Sequence, residues 1–268
     1  MMKTLVSKIH DMIGQSKGIW AIVLEDLNFG EKWELNGDEL FYAASVIKVP
    51  IMAAVFNAVE RGEFSLSDQI VLKEEDYVGG SGVLQHFTTG TALSIQDIIM
   101  LMIIQSDNTA TNILIDLVGF DSVVQSMNEV GMEKSTFYNK LMMNNPNPKG
   151  FNQISANDIA MLLKQMAIGE LVSAKASEQM INIMKKQQIK DCLPERLPSP
   201  YSNFNNGMNA WELAHKTGWI PGNRHDVGIF FVGDRKLIAT VLSKEEDDLV
   251  SKRILSEIGE AIYNYLSN

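Results

Sequence analysis

Strand-like sequence is confined to the two ends of this 268-residue chain, and the stretch between about residues 45 and 190 is patterned for helices. Near the start, Ile19-Trp20-Ala21-Ile22-Val23-Leu24 is an apolar run of strand length, and Lys32-Trp33-Glu34-Leu35 alternates. The turn-forming Asn28-Phe29-Gly30-Glu31 between them predicts a hairpin. Strand signals return at 211–217, 227–232 and 237–242, the last two flanking Gly233-Asp234-Arg235-Lys236. Strands at both ends predict an α+β chain: one antiparallel sheet built from both termini with helices packed on it, plus an all-α lobe. The expected division is a discontinuous α/β lobe, 1–42 and 205–268, and an all-α lobe, 43–204. A cleft between two lobes is a usual place for a small-molecule site.

Within that frame the helix signals are specific. Leu5, Ile9 and Ile13 give a short amphipathic helix over 3–15. Helices are expected over Ser45–Arg61, from Ser94 (with Asp97 three residues on) to about Gln105, over Thr109–Leu117 and over Asp121–Val130. The last two stop at Gly119 and Gly131. Further helices are expected from Ser155 to Ile168, from Ser173 to Ile189 and from about Glu246 to Leu266. Residues 191–210, with Pro194, Pro198, Pro200 and four asparagines, read as loop.

Composition closes off several functions. With 46% hydrophobic and 21% charged residues the chain has the make-up of a soluble globular protein, not of a disordered or fibrous one. A net charge of -10 argues against the clustered Lys and Arg of a nucleic-acid binder. Cys192 is the only cysteine, so no intrachain disulfide is possible. No run of 18 apolar residues occurs, and Ser7, Lys8, His10 and Asp11 interrupt the start before a secretory apolar core develops. The expected location is cytoplasmic, with no membrane partner and a monomeric state. His10, His86, His215 and His225 lack ligand spacing, so neither metal nor cofactor is expected. The fifteen methionines read as core filler.

Three short motifs carry the chemistry. Ser45-Val46-Ile47-Lys48 puts a hydroxyl and an amine on one helix face, where a lysine of lowered pKa can take the hydroxyl proton. Helix-terminal N–H groups there can meet an oxyanion. Chance alone supplies roughly one such spacing in a chain of this size. Pro50, just past the first turn, breaks a helix rule and so marks the segment. Ser106-Asp107-Asn108 sits in a break between helices. Serine suits proton relay, asparagine suits a substrate amide, and Asp107 suits backbone hydrogen bonds; all three residues also make ordinary helix caps. Lys216-Thr217-Gly218 ends a strand, either as a carboxylate site with room for a ligand against the backbone or as a plain strand end.

Taken in this order, the three motifs resemble those of the penicillin-recognising serine hydrolases, the class A β-lactamases in particular. Phe41-Tyr42-Ala43-Ala44-Ser45-Val46-Ile47-Lys48-Val49-Pro50 is similar to that family's nucleophile segment. Gly80-Ser81-Gly82-Val83-Leu84 and Ser106-Asp107-Asn108-Thr109-Ala110-Thr111-Asn112 are similar to its central segments, and the likeness covers nearly the whole chain. The resemblance implies a β-lactamase/transpeptidase-like fold and a β-lactam-opening hydrolase acting through an acyl-enzyme. Ser45 would be the nucleophile, Lys48 its base, and Ser106 the proton donor to the leaving nitrogen. Asn108 would hold the substrate amide, and Lys216 and Thr217 its carboxylate, with Gly218 beside them. The backbone N–H groups of Ser45 and Trp219 would form the oxyanion hole. Arg224 is a second carboxylate ligand if a one-residue gap is allowed, or else an exposed arginine. The implied partner is a β-lactam, or a peptide or ester substrate.

One departure stands out. The family's deacylating glutamate belongs in the loop within 134–146, yet between Glu133 and Glu170 the only acid is Asp158. Asp158 lies three residues after Ser155, as a helix cap does. Slow deacylation is therefore expected, with Lys48 or another group as base. A glutamate placed near Met142–Asn144 is expected to speed it if this loop borders the ester. The alternatives are an esterase, amidase or D,D-peptidase-like hydrolase of the same fold, or a non-catalytic penicillin-binding sensor that stays acylated.

Overall fold

A computed structural model of the chain describes residues 2–142, 147–199 and 211–268. Its helices are α1 (Met2–Ile13), α2 (Lys48–Glu60), α3 (Ile95–Ile104), α4 (Asn108–Val118), α5 (Phe120–Val130), α6 (Ala156–Ala167), α7 (Ala174–Met184) and α8 (Asp248–Leu266). The strands are β1 (Ile19–Asp26), β2 (Glu31–Leu35), β3 (Phe41–Tyr42), β4 (Gln69–Val71), β5 (Ala92–Ser94), β6 (Gln153–Ile154), β7 (Glu212–Ile220), β8 (Asn223–Val232) and β9 (Arg235–Lys244).

The two ends do meet in one antiparallel sheet, in the order β2-β1-β9-β8-β7. Val23 of β1 lies opposite Thr240 of β9, so the first long strand pairs with the last. Because side chains alternate across a strand, the sheet buries both faces. One face (Ala21, Val23, Ala214, Val227, Ile229, Ile238) joins α2–α7 in a single large core. The other (Trp20, Ile22, Leu24, Phe230, Leu237, Ala239) packs against α1 and α8. Each fully buried Leu, Ile or Phe contributes about 1.5–3 kcal/mol, so the helical block and the sheet are held together by the same apolar surface. The boundary at 204/205 expected from sequence lies outside the described residues.

The helix caps read from sequence are made in space. The hydroxyls of Ser94, Ser155 and Ser173 accept the amides of Asp97, Asp158 and Ala176, each satisfying an orphan donor of a first turn. Gly131 ends α5 in the left-handed conformation at φ 88°.

Three expectations are corrected. The segment at Ser45 begins as a 3-10 turn over Ala44–Ile47, and α2 starts only at Lys48. Pro50 therefore lies in a first turn, where its missing N–H breaks nothing, so it marks no strain. The helix expected to reach Ile189 stops at Met184, because the buried Gln187 side chain bonds the Ile103 carbonyl and accepts the Gln188 and Ile189 amides. The strand expected to end at Thr217 runs on to Ile220 and so carries the whole Lys-Thr-Gly motif. The proline- and asparagine-rich loop falls partly outside the described residues, from 200 to 210.

Candidate active site

Ser45 is placed by a short strand and a tight turn. β3 pairs with β6, and Ala43 donates its amide to the Asn152 carbonyl at 2.9 Å. Beneath it the buried His225 ring donates from Nε2 to the Tyr42 carbonyl at 2.9 Å and accepts the Ser243 amide on Nδ1 at 3.3 Å. Those two roles fix a neutral tautomer, and burial lowers the His225 pKa to about 4. The next residue, Ala44, is turned to φ 43°, a conformation costly for any side chain, and the 3-10 turn follows.

β7 forms the edge of the sheet and packs against this turn. The approach depends on Gly218. A Cβ at that position would stand 3.1 Å from Val46 Cγ2 and 3.3 Å from Ala44 Cβ. A Cβ there is tighter than an ordinary van der Waals contact, so Val46 and Ala44 would have to give way to admit a side chain.

Two lysines meet at one serine. Lys48 Nζ lies 3.1 Å from Ser45 Oγ, 3.0 Å from Ser106 Oγ, 2.6 Å from the Ser106 carbonyl and 2.9 Å from Asn108 Oδ1. Lys216 Nζ reaches the same Ser106 Oγ at 3.0 Å and the Thr217 carbonyl at 2.8 Å. Both lysines are fully buried. Burial, reinforced by the nearby Lys216 charge, holds Lys48 well below the ordinary lysine range, with Asp107 pulling the other way. Burial likewise brings Lys216 down to about 7, against the pull of Asp226. A neutral amine within hydrogen-bond reach of a serine hydroxyl is what proton abstraction requires.

The loop before α4 is shaped to present this array. Ser106 takes φ 53°. Asp107 Oδ1 accepts the Ala110 amide, capping α4, while its Oδ2 accepts the amides of Val83 and Leu84. That is the backbone role expected for it. Asn108 Oδ1 faces Lys48, and its Nδ2 donates to the Gly79 carbonyl.

Ser45 opens into a cleft of about 550 Å³, lined also by Tyr42, Ser81, Asn108, Trp219 and the loop residues Asn139, Lys140, Leu141, Met142, Phe151 and Asn152. No aspartate or glutamate is among the described residues lining it. The loop is stapled by side chains to which the sequence assigned no such task. Asn112 of α4 donates to the Leu141 carbonyl at 3.0 Å and accepts its amide at 2.9 Å. Asn152 Oδ1 accepts the amides of Tyr138 and Asn139. Asp158 accepts those of Lys134 and Ser135, so the one acid of this region is engaged by backbone as well as lying near a cap. Only the spacing of Asn112, one helical turn after Asn108, hinted at any of this. Of the positions expected to border the ester, Met142 lines the cleft, while Met143 and Asn144 lie outside the described residues.

Placement of the remaining expected residues divides. Thr217 and Gly218 lie on β7 beside Lys216, and Trp219 lines the cleft. Arg224 does not. It sits on the face of β8 that meets α8, where Asp248 grips it at 2.7 and 3.1 Å and Asp191 stands at 3.5 Å. Strand alternation sends its neighbour His225, not Arg224, toward the nucleophile turn. No cluster of His, Cys, Asp or Glu fit for a metal occurs among the described residues, and His215 is paired with Asp226 at 2.9 Å.

Lys48 thus links the Ser45 and Ser106 hydroxyls, Lys216 meets the same Ser106 hydroxyl from the edge strand, and the comparisons give the family. The chain matches the Beta-lactamase enzyme family over residues 4–266 and belongs to it. It is similar to β-lactamase VEB-1 of Pseudomonas aeruginosa, at 23% identity over 98% of this chain and 91% of that protein. Among solved structures, a β-lactamase from Sphaerobacter thermophilus DSM 20745 superposes with a TM-score of 0.89 at 29% identity, covering 100% of this chain and 98% of that one. A mutant of PBP-A (Leu to Glu), solved as an acyl-enzyme complex with penicillin G, superposes at 0.83 with 27% identity, covering 99% and 97%. No described helix is long and apolar enough to cross a membrane.

Proposed function

We propose that this protein is a serine hydrolase that opens β-lactam rings through an ester on Ser45 and releases that ester slowly. The observation that carries the reading is the 3.1 Å approach of a buried lysine of lowered pKa to Ser45 Oγ. Neutral Lys48 takes the Ser45 proton as Oγ attacks the lactam carbonyl. The backbone N–H groups of Ser45 and Trp219 receive the developing oxyanion. As the carbonyl–nitrogen bond breaks, Ser106 gives its proton to the nitrogen and regains one from the lysine ammonium. Asn108 orients the substrate amide, and Lys216 with Thr217 and Gly218 receives the carboxylate.

Hydrolysis of the ester then needs a base for water. Leu141 lines the cleft with its backbone clamped by Asn112, and no carboxylate is among the described lining residues. Lys48, neutral again once its proton has passed on, is the remaining base. The same absence of a carboxylate supports a second reading, a protein that stays acylated by penicillin or a D,D-peptidase-like, amide or ester hydrolase of this fold.

Intact-protein mass followed after addition of penicillin G separates these. An adduct that forms on the wild type, is absent from Ser45→Ala and decays with turnover of the drug is expected. An adduct lasting hours supports the second reading, and an adduct on Ser45→Ala removes Ser45 from the role.

A further inference from the structure

The two N–H groups assigned above to the oxyanion come from separate elements, Ser45 from the turn after β3 and Trp219 from β7 at the edge of the sheet. Neither backbone fixes their separation alone. One side chain touches both elements. His225 lies opposite Gly218 across the β7–β8 ladder, and its ring is fully buried. A Cβ on Gly218 would stand 3.3 Å from His225 Cδ2, so the ring edge abuts the backbone one residue before Trp219. On the other side, Nε2 donates to the carbonyl of Tyr42, three residues before Ser45. The Ser243 amide of β9 holds Nδ1 from behind, and the Phe41 ring stands edge-on to the imidazole at a centroid distance of 6.1 Å. With both nitrogens engaged, the ring cannot turn without leaving a buried carbonyl and a buried amide unpaired. The Asn152 carbonyl accepts the Ala43 amide, so the chain leading into Ser45 is gripped on two flanks.

Resting on the reading of Ser45 above, we infer that His225 is a positioning residue for acylation: it sets the spacing of the Ser45 and Trp219 N–H groups by bracing the Tyr42 carbonyl against Gly218. Oxyanion donors act only when they stand at hydrogen-bond distance from where the charged oxygen will form, and a misplacement of about 1 Å can cost about 10²-fold in rate. The ring never meets the substrate. Its effect passes through backbone on both sides, and it therefore weighs on the tetrahedral state more than on the binding of intact drug.

The test pairs a rate with an equilibrium. Penicillin G reads acylation of Ser45 by intact mass. Phenylboronic acid, which closes on a serine as a tetrahedral anion, reads the same donors at rest. His225→Phe keeps a ring and loses both hydrogen bonds, whereas His225→Gln keeps a donor and an acceptor. In His225→Phe the acylation rate is expected to fall about 10-fold to 10²-fold and the boronic acid affinity by a comparable factor. His225→Gln is expected to recover most of both. Circular dichroism at the assay temperature confirms that each variant is folded. A folded His225→Phe with wild-type rate and affinity overturns the inference, and so does a loss of rate with full boronic acid affinity. Should His225→Phe not fold, His225→Asn, one methylene shorter than the glutamine, takes its place: equal rates for Asn and Gln overturn the inference. No penicillin adduct on the wild type overturns the reading of Ser45 itself, and the positioning role with it.

Discussion

Around Ser45, Lys48 and Lys216 reach across to hydroxyl and carbonyl oxygens of neighbouring segments, whereas Asn139 and Asn147 in the loop after α5 turn back on that loop's own backbone. The first region has its side chains aimed at a shared point, and two residues, Ala44 and Ser106, are held at positive φ to keep them there. In the second, Asn112, Asn152 and Asp158 give the loop its shape and leave apolar Leu141, Met142 and Phe151 toward the cleft. The lysine–serine array and the self-bonded loop thus border one cavity. On the proposed reading, the site holds groups for the first half of a double displacement, while its described lining offers no carboxylate for the second.

The sharpest way to break that contrast is to remove the base. Lys48→Met is expected to slow acylation by penicillin G by about 10³-fold or more, since general-base help is worth about 10²–10⁴. Stopped mass measurements check this, and a rate within a few-fold of wild type would falsify the assignment. Next, Leu141→Glu puts a carboxylate on the unequipped side at a clamped backbone position. Release of the Ser45 ester is expected to rise by about 10²-fold, read as loss of adduct mass, with no rise in acylation. An unchanged adduct lifetime would mean that water does not approach from that side.

Acidity offers a milder probe. Acylation requires neutral Lys48, so its rate climbs as pH rises through the lowered Lys48 pKa. Lys216 must be charged to attract a carboxylate, so with penicillin the rate falls as pH passes about 7. An ester substrate without a carboxylate should keep its plateau there; a matching fall would assign the limb to another group. Stability runs the other way. Lys216 titrates near 7 when folded and near 10.5 when unfolded, so between those values the unfolded chain binds more protons and stability increases with pH. Urea unfolding at pH 7 and pH 9 checks the rise, to which the lowered Lys48 pKa adds in the same direction, so Lys216→Met should reduce it without abolishing it. The smallest effect is expected from Asp158→Ala, which orphans the Lys134 and Ser135 amides at a cost of about 1–3 kcal/mol. An unfolding midpoint equal to wild type would show that those amides find water instead.

How much of this was legible in the sequence follows from the range of each interaction. Ser45 and Lys48 are one turn apart, and Ser94, Ser155 and Ser173 cap helices three residues on, so neighbours along the chain announced them. The α+β architecture was legible because apolar runs at the two ends had nowhere else to pair. The short strands β3 to β6 were not, since two or three residues carry no period. Arg224 was misplaced because a single step along a strand exchanges one face of the sheet for the other, and a one-residue gap in a resemblance is such a step. The placement of Leu141 was invisible, because the bonds that hold it run to Asn112 in another element; that of Phe151 was invisible because its neighbour Asn152 fastens to Tyr138 and Asn139, distant along the chain.

The pairing of β1 with β9 has a temporal side. During synthesis β1 emerges well before its partner Arg235–Lys244, with α2–α7 made between them, so the sheet stays open while those helices are made. Until β8 and β9 arrive, β7 has no sheet to belong to and the turn at Ser45 has no edge to close against. Contacts this distant along the chain slow refolding, and in the interval they leave apolar strands such as Ile19–Asp26 uncovered and prone to aggregate. If Ser45 is the nucleophile proposed above, penicillin labelling during refolding should lag behind the gain of helical signal, because its turn is among the last features of the molecule to come into being.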